Sequence, residues 1–312
     1  MGIVLLLVAA LSGYVWQNGG SDDEPELAEE TSLGRYATSS PEAIDFEADE
    51  DESLLENDSK GSEGDGVDGL MGRASATSLM EIPHGGKSHG IVVEHTGYTL
   101  SYDTLNHNPF WVAWELTQKE AKGRTSRGDE FLEDPKIPAR HAVRPSTYSG
   151  SGYSRGHMCP AGDQKWSREA MDESFYMSNM CPQTIELNKL WWDWLERAER
   201  EWAKEEGHVY IVCGPIYDEG RPVKNVNKKK SFFVGIPHRF FKVILSTRKG
   251  QEKALGFIYR NDASEQLLED CVCTVDEVER ITGYDFFAPL EDGLEQKVEG
   301  KATLMDWKVV PQ

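Results

Sequence analysis

Residues 152–158 read GYSRGHM, residues 178–183 read SNMCPQ, and residues 187–196 read LNKLWWDWLE. Together they supply an Arg-Gly-His tripeptide, two Asn residues nine positions apart, and a Glu eight positions after the second Asn. Each piece alone is weak evidence, because an Asn near a helix start is usually a cap and a Glu on a helix is usually solvated. Their order and spacing are far more specific, so this polar cluster is where we expect chemistry.

The pattern around the cluster predicts strands and helices. Residues 98–102 and 110–116 alternate apolar and polar side chains, as half-buried strands do. Further strands are predicted at 208–213, 232–236, 240–245 and 255–259, and helices at 185–205 and 275–282. The longer helix should turn six apolar residues toward a core, namely Leu187, Leu190, Trp191, Trp194, Leu195 and Trp202. Short links between neighbouring strands indicate an α+β domain with a largely antiparallel sheet flanked by helices.

The polar cluster resembles the signature of the DNA/RNA non-specific endonuclease family, which belongs to the ββα-metal (His-Me finger) nucleases. That signature is Asp-Arg-Gly-His, then Ser/Thr-Asn-x-x-Pro-Gln, then an Asn and a Glu at the intervals seen here. The resemblance extends from about Tyr98 to the C-terminus and implies the ββα-metal fold and hydrolysis of DNA and RNA without sequence specificity. One position departs from the family, because Ser154 stands where Asp is usual. Ser cannot act as a charged partner for a cation, so we expect altered fine tuning and retained chemistry.

The resemblance also assigns roles to residues of the cluster. It implies that His157 is the general base and that Asn188 is the direct Mg²⁺ ligand, with Mn²⁺ expected to substitute. Both residues suit these roles, since imidazole titrates near neutral pH and an amide oxygen is a hard ligand. Glu196 would lie roughly 12 Å further along the helix at about 1.5 Å per residue, so it should act through a water. Asn179 is expected to fix loop geometry at the site.

Three arginines are candidates for contact with substrate, because a guanidinium group can bind two phosphate oxygens at once. Arg155 is part of the motif and is counted with the catalytic residues. Arg127 precedes His157 by 30 residues, and the family has an Arg in a similar place. Arg200 lies one helical turn after Glu196, so an internal ion pair is the alternative for it.

A second group of cations lies outside the motif. Four lysines precede the predicted strand at 232–236, namely Lys224, Lys228, Lys229 and Lys230. They form either a charged hairpin tip or a contact with the nucleic-acid backbone outside the catalytic centre. The sequence shows no zinc-finger spacing, recognition-helix pattern or P-loop, which fits a low base specificity.

The net charge of −21 is unevenly distributed. Residues 21–70 hold 18 Asp and Glu against Arg35 and Lys60, so the rest of the chain carries only −5. We predict an acidic disordered linker over residues 21–78, because it lacks the apolar residues that a core needs. The nuclease domain is predicted to cover residues 79–312, and a nearly balanced domain can still present a basic cleft.

The first residues suggest a location. Residues 2–16 are uncharged and largely apolar, which is short for a membrane span but suits the core of a signal peptide. Residues 1–20 are therefore predicted to be a signal peptide or membrane anchor, and the protein to be secreted, periplasmic or membrane-anchored. A membrane tether and a homodimer stay open, as does the choice between a Cys159–Cys181 bridge and two reduced thiols.

Two other classes of function compete with the nuclease. One is a catalytically inactive relative that binds nucleic acid, and the other is a structural protein of the cell envelope. The intact His157, Asn188 and Glu196 favour an active enzyme over the inactive relative, and a nuclease assay with and without a chelator decides between those two. The structural protein would show neither nuclease activity nor binding of nucleic acid.

Overall fold

The computed structural model describes residues 79–86, 90–229 and 231–309. The strands within them are β1 (His84–Gly85), β2 (Ile91–Glu94), β3 (Thr99–Asp103), β4 (Asn108–Thr117), β5 (Ser154–His157), β6 (Met180–Gln183), β7 (His208–Ile216), β8 (Lys224–Asn225), β9 (Gly235–Ile236), β10 (Arg239–Ser246), β11 (Lys253–Arg260), β12 (Val272–Cys273) and β13 (Tyr284–Asp285). The helices are α1 (Arg168–Glu173), α2 (Trp192–Glu206), α3 (Leu268–Cys271), α4 (Val275–Thr282) and α5 (Asp292–Glu299). Short 3₁₀ turns cover Glu120–Lys122, Pro145–Tyr148, Met177–Asn179 and Leu304–Asp306, and a π-helical turn covers Leu187–Trp191.

Seven strands form one sheet in the order β12-β11-β10-β7-β4-β3-β2, and every neighbouring pair is antiparallel. The alternation along β4 shows how sequence sets the two faces, since successive side chains of a strand point to opposite sides. Val112 and Trp114 enter one hydrophobic cluster, while Trp111 and Ala113 enter another. The α+β class and the largely antiparallel sheet predicted from the sequence are confirmed.

Helices cover both faces of this sheet. On one face α2 buries Trp192, Leu195 and Trp202 against the strands. On the other face α4 and α5 bury Val278 and Val298. The sheet is therefore the middle of three layers.

Strands β5 and β6 lie outside the large sheet as an antiparallel pair in which His157 faces Met180. The π-helical turn and α2 follow β6, which gives the order strand, strand, helix. Gly156 is required at this point because a Cβ there would collide with the side chain of Gln183, which is fully buried. A glycine in β5 thus lets the strand that ends in His157 pack closely against its neighbour.

The predicted helix at 185–205 is present, but its apolar face was partly misassigned. Leu190 is 45% exposed, whereas Trp192, which the periodic pattern left out, is 1% exposed. The π-helical turn contains Leu190 and directly precedes Trp192, and its wider turn changes the phase of the helix at these positions, which explains the error.

The strand predicted at 232–236 is mostly wrong, since only Gly235–Ile236 pairs as a strand, with β8. The side chain of Asn225 accepts a hydrogen bond from the backbone N–H of Val234 at 3.0 Å, so a side chain takes the place of strand pairing there. The helix at 275–282 is confirmed. Thr274 caps its first turn, and Gly283 ends it in the left-handed conformation with φ 76°.

Two further sequence predictions concern other parts of the chain. The five cysteines are free thiols, so Cys159 and Cys181 are not bridged. The signal or anchor at 1–20 and the linker at 21–78 lie outside the described residues.

Candidate active site

A cleft of about 450 Å³ lies where β5, the π-helical turn and α2 meet. It contains five of the seven residues predicted as catalytic, substrate-binding or metal-binding. Its lining residues are Arg127, Phe131, Tyr148, Tyr153, Ser154, Arg155, His157, Pro160, Ala161, Asn188, Asp193 and Glu196. Asn179 and Arg200 are the two predicted residues that do not line it.

His157 ends β5, and its position is fixed from several sides. Its backbone carbonyl accepts a hydrogen bond from the indole N–H of Trp192 at 3.3 Å. Its ring meets that of Phe175 edge-on, with centroids 4.9 Å apart, and lies 5.8 Å from that of Phe131. The ring is buried, and its Nε2 atom has no hydrogen-bond partner among the described residues.

The surroundings of His157 keep its ring neutral. Burial lowers the pKa of His157 to about 3, and the positive charge of Arg127 adds to this effect. A neutral imidazole has one nitrogen that can accept a proton. In the tautomer that carries its proton on Nδ1, the unpaired Nε2 is that acceptor.

Asn179 lies behind the cleft with every polar group of its amide in use. Its Oδ1 accepts from the backbone N–H of Cys159 at 2.9 Å, and its Nδ2 donates to the carbonyls of Cys159 and Ser174, each at 2.9 Å. The side chain is fully buried. It joins the segment just after His157 to the segment before β6, so it holds the backbone and offers nothing to a ligand.

Asn188 and Glu196 bring oxygen donors to the cleft from consecutive parts of one helical segment. Asn188 lies in the π-helical turn and is half-buried, and Glu196 lies in the second turn of α2. Burial raises the pKa of Glu196 to about 7 against the opposing effect of nearby Lys242 and Arg200. A divalent cation near this carboxyl group would lower that pKa again.

Asp193 is a lining residue that the sequence reasoning missed. It lies three residues before Glu196 on α2, and its carboxylate is 2.6 Å from the guanidinium of Arg197. The signal was available, since residues three apart on a helix share a face. The donors of Asn188, Asp193 and Glu196 are all oxygens of the kind that a hard divalent cation prefers, so the residues present fit such an ion.

Two of the predicted arginines face the cleft, and aromatic rings support both. The guanidinium carbon of Arg155 lies 4.7 Å from the ring centre of Phe131, and its Nη2 donates to the carbonyl of Pro145 at 3.2 Å. The guanidinium carbon of Arg127 lies 5.3 Å from the ring centre of Phe175. Such stacking orients the planar groups without using all of their N–H donors.

Arg200 is placed differently from the substrate contact that the sequence suggested. Its Nη1 lies 3.0 Å from the carboxylate of Asp163, a residue that is fully buried. The same carboxylate accepts a hydrogen bond from the indole of Trp114 at 3.1 Å. An internal ion pair was the alternative weighed for Arg200, although Glu196 was the expected partner.

Comparisons with known proteins show the family of the chain. A model of the DNA/RNA non-specific endonuclease family matches residues 76–293. The chain belongs to this family. This membership confirms the resemblance drawn from the motif spacing. Members of the DNA/RNA non-specific endonuclease family are nucleases that use a divalent cation.

Individual relatives within the family share about a third of their aligned residues with the chain. The mitochondrial nuclease EXOG of Xenopus laevis is 32% identical over 209 residues, which are 64% of this chain and 58% of that protein. The mitochondrial nuclease 1 of Schizosaccharomyces pombe is 34% identical over 215 residues, 63% of this chain and 66% of that protein. The chain thus spans about 60% of the length of such relatives.

A solved structure extends the likeness to three dimensions. The crystal structure of the EndoG/EndoGI complex, described as showing the mechanism of EndoG inhibition, contains a chain 28% identical to this one. The two superpose with a TM-score of 0.62 over 69% of this chain and 93% of that chain. The ββα-metal fold predicted from the sequence is confirmed.

The comparisons overturn the predicted location. The relatives from Xenopus laevis and Schizosaccharomyces pombe, and human endonuclease G at 31% identity, are mitochondrial nucleases, so the prediction of an exported protein is wrong. The error came from an apolar run, residues 2–16, that has no Lys or Arg before it. Within the residues that the structure describes, no helix is long and apolar enough to cross a membrane. A membrane tether and a homodimer find no support in the comparisons.

Proposed function

We propose that this chain is a Mg²⁺-dependent endonuclease that hydrolyses phosphodiester bonds in DNA and RNA without reading base sequence, with His157 as general base. The observation that carries the proposal is the buried, neutral imidazole of His157, whose Nε2 has no protein partner among the described residues. It lines one cleft with Arg127, Asn188 and Glu196. Family membership supports the reaction class, and the cleft supports the assignment of roles.

The role of His157 follows from what hydrolysis requires. A water that attacks phosphorus must lose a proton, and a neutral imidazole can take it. Without substrate the pKa of His157 is held at about 3 by burial and by the charge of Arg127. A phosphate bound beside Arg127 would counter that charge and raise the pKa of His157 toward the neutral range, where a general base is most effective.

Arg127 and Arg155 are suited to hold the phosphate. Both line the cleft, and both guanidinium groups lie against aromatic rings. The Nε of Arg155 is buried without a partner among the described residues, so it can donate to a ligand. Charge-assisted hydrogen bonds of this kind position an anionic group and stabilise charge that develops on it.

Asn188 would hold the cation directly, and Glu196 would act on it through a water. The bound cation supplies neutralisation of charge on the phosphoryl oxygens and on the leaving oxygen. Mn²⁺ is expected to substitute for Mg²⁺, since both accept oxygen ligands. Glu196 must be anionic for this role, which a neighbouring cation favours by lowering its pKa from about 7.

The decisive experiment compares cleavage with binding for one variant. His157→Ala should slow cleavage of DNA and of RNA by about 10²–10⁴-fold, the usual contribution of a general base. Affinity measured in a chelator should persist, because cationic contacts with phosphate supply it. His208→Ala is the matched control, since that imidazole lies on β7 with its Nε2 2.7 Å from Thr247 Oγ1, away from the cleft.

The outcomes separate the competing functions. A His157→Ala protein that binds and cuts within a few-fold of the original would show that His157 is structural. If the unmodified chain binds nucleic acid but never cuts it, with or without Mg²⁺, the chain is an inactive relative. If it neither binds nor cuts, the structural role is favoured.

A further inference from the structure

A second depression, with a volume of about 820 Å³, is larger than the catalytic cleft. Two parts of the chain form its walls, one within residues 139–150 and the other made of residues 227–229 and 231–232. Four cations line it, namely Arg140, Arg144, Lys228 and Lys229, and no acidic side chain does. Outside residues 21–70 the chain carries a net charge of only −5, so four cations on one surface without an acidic neighbour in the lining form a distinct basic patch. We call this depression the basic groove.

The cations of the basic groove are largely free to meet a ligand. Arg140, Lys228 and Lys229 are exposed, and none has an acidic partner within 4.0 Å among the described residues. Arg144 is paired only loosely, with Glu133 at 3.3 Å, and both of those side chains are largely exposed. Exposed pairs of this kind contribute little and exchange readily.

The loop that carries Lys228 and Lys229 has a defined shape. Asn225 accepts hydrogen bonds from the backbone N–H groups of Asn227 at 2.9 Å and Val234 at 3.0 Å. Asn227 in turn accepts one from the backbone N–H of Lys229 at 3.0 Å. These bonds define the backbone of residues 225–229, which carries the two lysines.

The basic groove and the catalytic cleft share a wall. The 3₁₀ turn Pro145–Tyr148 supplies Ser146 and Thr147 to the groove and Tyr148 to the cleft. Arg155, which lines the cleft, donates a hydrogen bond to the carbonyl of Pro145 in this turn.

One apolar cluster also supports both depressions. It is built on Tyr148, Met180 and Val226. Phe131 and Tyr153 of the cleft pack against it, and so does Phe232 of the groove.

We propose that the basic groove binds the sugar-phosphate backbone of the substrate strand on one side of the phosphodiester that is cut. This inference rests on the proposed function and extends it, because it gives the substrate a path away from the cleft. The lysine and arginine side chains would neutralise successive phosphates, and the hydroxyl groups of Ser146 and Thr147 would donate to phosphate or sugar oxygens. Such contacts carry no base information, which fits cutting without sequence preference.

The basic groove also explains how a long substrate would differ from a short one. A compound with one phosphodiester can occupy the cleft alone. A strand of many nucleotides would gain affinity from the groove, and that part of its affinity would fall as salt displaces the contacts. Chain length and salt are therefore the two variables that report on the groove.

The test uses charge reversal in the full chain. Lys228→Glu with Lys229→Glu changes the groove, and Arg248→Glu with Lys249→Glu is the matched control, since it makes the same change of charge on an exposed turn between β10 and β11. Each protein is assayed on a mononucleoside nitrophenyl phosphodiester and on a single strand of about 20 nucleotides, with binding of the strand measured in EDTA. The variant Lys228→Arg with Lys229→Arg keeps the charge and should behave as the original.

The groove variant should raise KM for the strand by about tenfold or more and leave hydrolysis of the small phosphodiester within about twofold. Its plot of log affinity against log salt should lose about 0.7 of slope per lost contact with a single strand. Equal KM values for the groove variant and its control would overturn the inference, as would a loss on the small compound as large as that on the strand. If the groove variant binds the strand in EDTA more weakly than the unmodified protein does, the groove binds the strand even when no cleavage is seen. In that case only the proposed nuclease function fails. If the groove variant binds the strand as tightly as the unmodified protein, the inference is wrong.

Discussion

Glu196 and Glu199 lie one turn apart on α2, yet the protein treats their carboxylates in opposite ways. Glu196 lines the cleft and has no ion pair within 4.0 Å among the described residues, although the charges of Lys242 and Arg200 still act on its pKa. Glu199 is fully buried, and its Oε2 lies 2.7 Å from the ammonium group of Lys242, which is equally buried. Arg200, the next residue, is closed in the same manner by Asp163. We call the turn of Asn188 to Glu196 the open turn, because its polar groups face the cleft. We call the turn of Glu199 and Arg200 the closed turn, because its charged groups pair with other protein residues.

The difference separates function from stability. A charge without a protein partner costs the fold free energy and is useful only when a ligand arrives. A charge with a buried partner is neutralised before any ligand arrives, and its loss should damage the fold. Substitutions in the two turns should therefore give different phenotypes.

The largest effect is expected in the open turn. Asn188→Ala should lower the rate of cleavage by at least about 10²-fold and move the Mg²⁺ titration midpoint to a higher concentration, because a cation ligand contributes several kcal/mol. The melting temperature should change little, since Asn188 lies at the cleft and is half-buried. EDTA should abolish cleavage by the unmodified chain, and Mg²⁺ or Mn²⁺ should restore it. Lys189→Ala, at the exposed neighbouring position, is the control, and an Asn188→Ala titration that overlays it would remove Asn188 as a ligand.

Substitutions in the closed turn should lower the free energy of unfolding. Lys242→Met removes the cation that faces Glu199 and should destabilise the fold by about 3–5 kcal/mol, the usual cost of one unpaired buried charge. In the native protein burial lowers the pKa of Lys242, but Glu199, Cys213 and Glu196 together raise it above its ordinary value. In the variant, burial and the charges of Asp163 and Glu196 raise the pKa of Glu199 with no lysine to oppose them, so the carboxyl group is tolerated when protonated and stability is lost as pH rises.

Denaturant unfolding of Lys242→Met at low and high pH measures this directly. The deficit against the unmodified protein should be smaller near pH 5 than near pH 9. Glu199→Gln combined with Lys242→Met removes both charges and should recover most of the loss. A double variant as unstable as Lys242→Met would show that packing of the lysine chain over Trp192, 4.7 Å from its ring centre, matters more than the ion pair.

Arg200 sharpens the comparison, because the sequence suggested that it binds substrate. Its guanidinium group is 18% exposed and paired with Asp163, so Arg200→Met should cost about 1–3 kcal/mol, typical of a lost hydrogen bond to a charged group. KM for nucleic acid should stay within a few-fold. Arg127→Met is the comparison variant, since Arg127 lines the cleft, and its KM should rise by about tenfold or more. If KM for Arg200→Met rises as much as KM for Arg127→Met, Arg200 contacts the substrate after all.

The sequence predicted the family and named five of the residues that line the cleft. The intervals that separate Asn179, Asn188 and Glu196 are local to one strand-turn-helix unit, so counting residues was enough to bring Asn188 and Glu196 to one cleft. Arg127 also reached the cleft, although a long loop separates it from His157. Alternation over residues 98–102 and 110–116 predicted β3 and β4, which are neighbouring strands of the large sheet.

What the sequence could not foretell depends on partners that are distant in the chain. The pairing of Arg200 with Asp163 joins α2 to a loop 37 residues earlier, and no spacing rule contains it. The π-helical turn around Asn188 adds a shift that a regular period of 3.6 residues misses, which is why Leu190 and Trp192 exchanged places. The sequence analysis noted the lysines of the basic groove but not its arginines. Arg140 and Arg144 lie about 85 residues earlier in the chain, so sequence proximity could not join them to the lysines.

The smallest effect is expected at a third carboxylate, which is unpaired like Glu196 but lies far from any proposed chemistry. Glu299 ends α5, is 4% exposed, and its Oε1 has no hydrogen-bond partner among the described residues. Burial raises its pKa to about 9, and Glu279, Glu295 and Asp276 raise it further by repulsion. The pKa of Glu299 in the folded protein lies above its unfolded value of about 4.3. The contribution of this group to the free energy of unfolding is therefore largest at acid pH and is lost as pH rises toward 9.

Glu299→Gln should therefore raise the melting temperature at pH 8 by roughly 2–6 °C, given about 2–4 °C per kcal/mol for a domain of this size. The gain should shrink toward zero near pH 5, where the native side chain is already neutral, and nuclease activity should not change. Glu295→Gln on the same helix is the control, with a smaller effect expected because that side chain is only partly buried. A melting temperature that falls instead would mean that the Glu299 carboxylate is ionised and paired in the folded protein. Under the expected result, a carboxylate without a hydrogen-bond partner marks a cost to stability wherever it lies. It marks a functional site only where, as at the half-buried Glu196, a base, guanidinium groups and an open cleft accompany it.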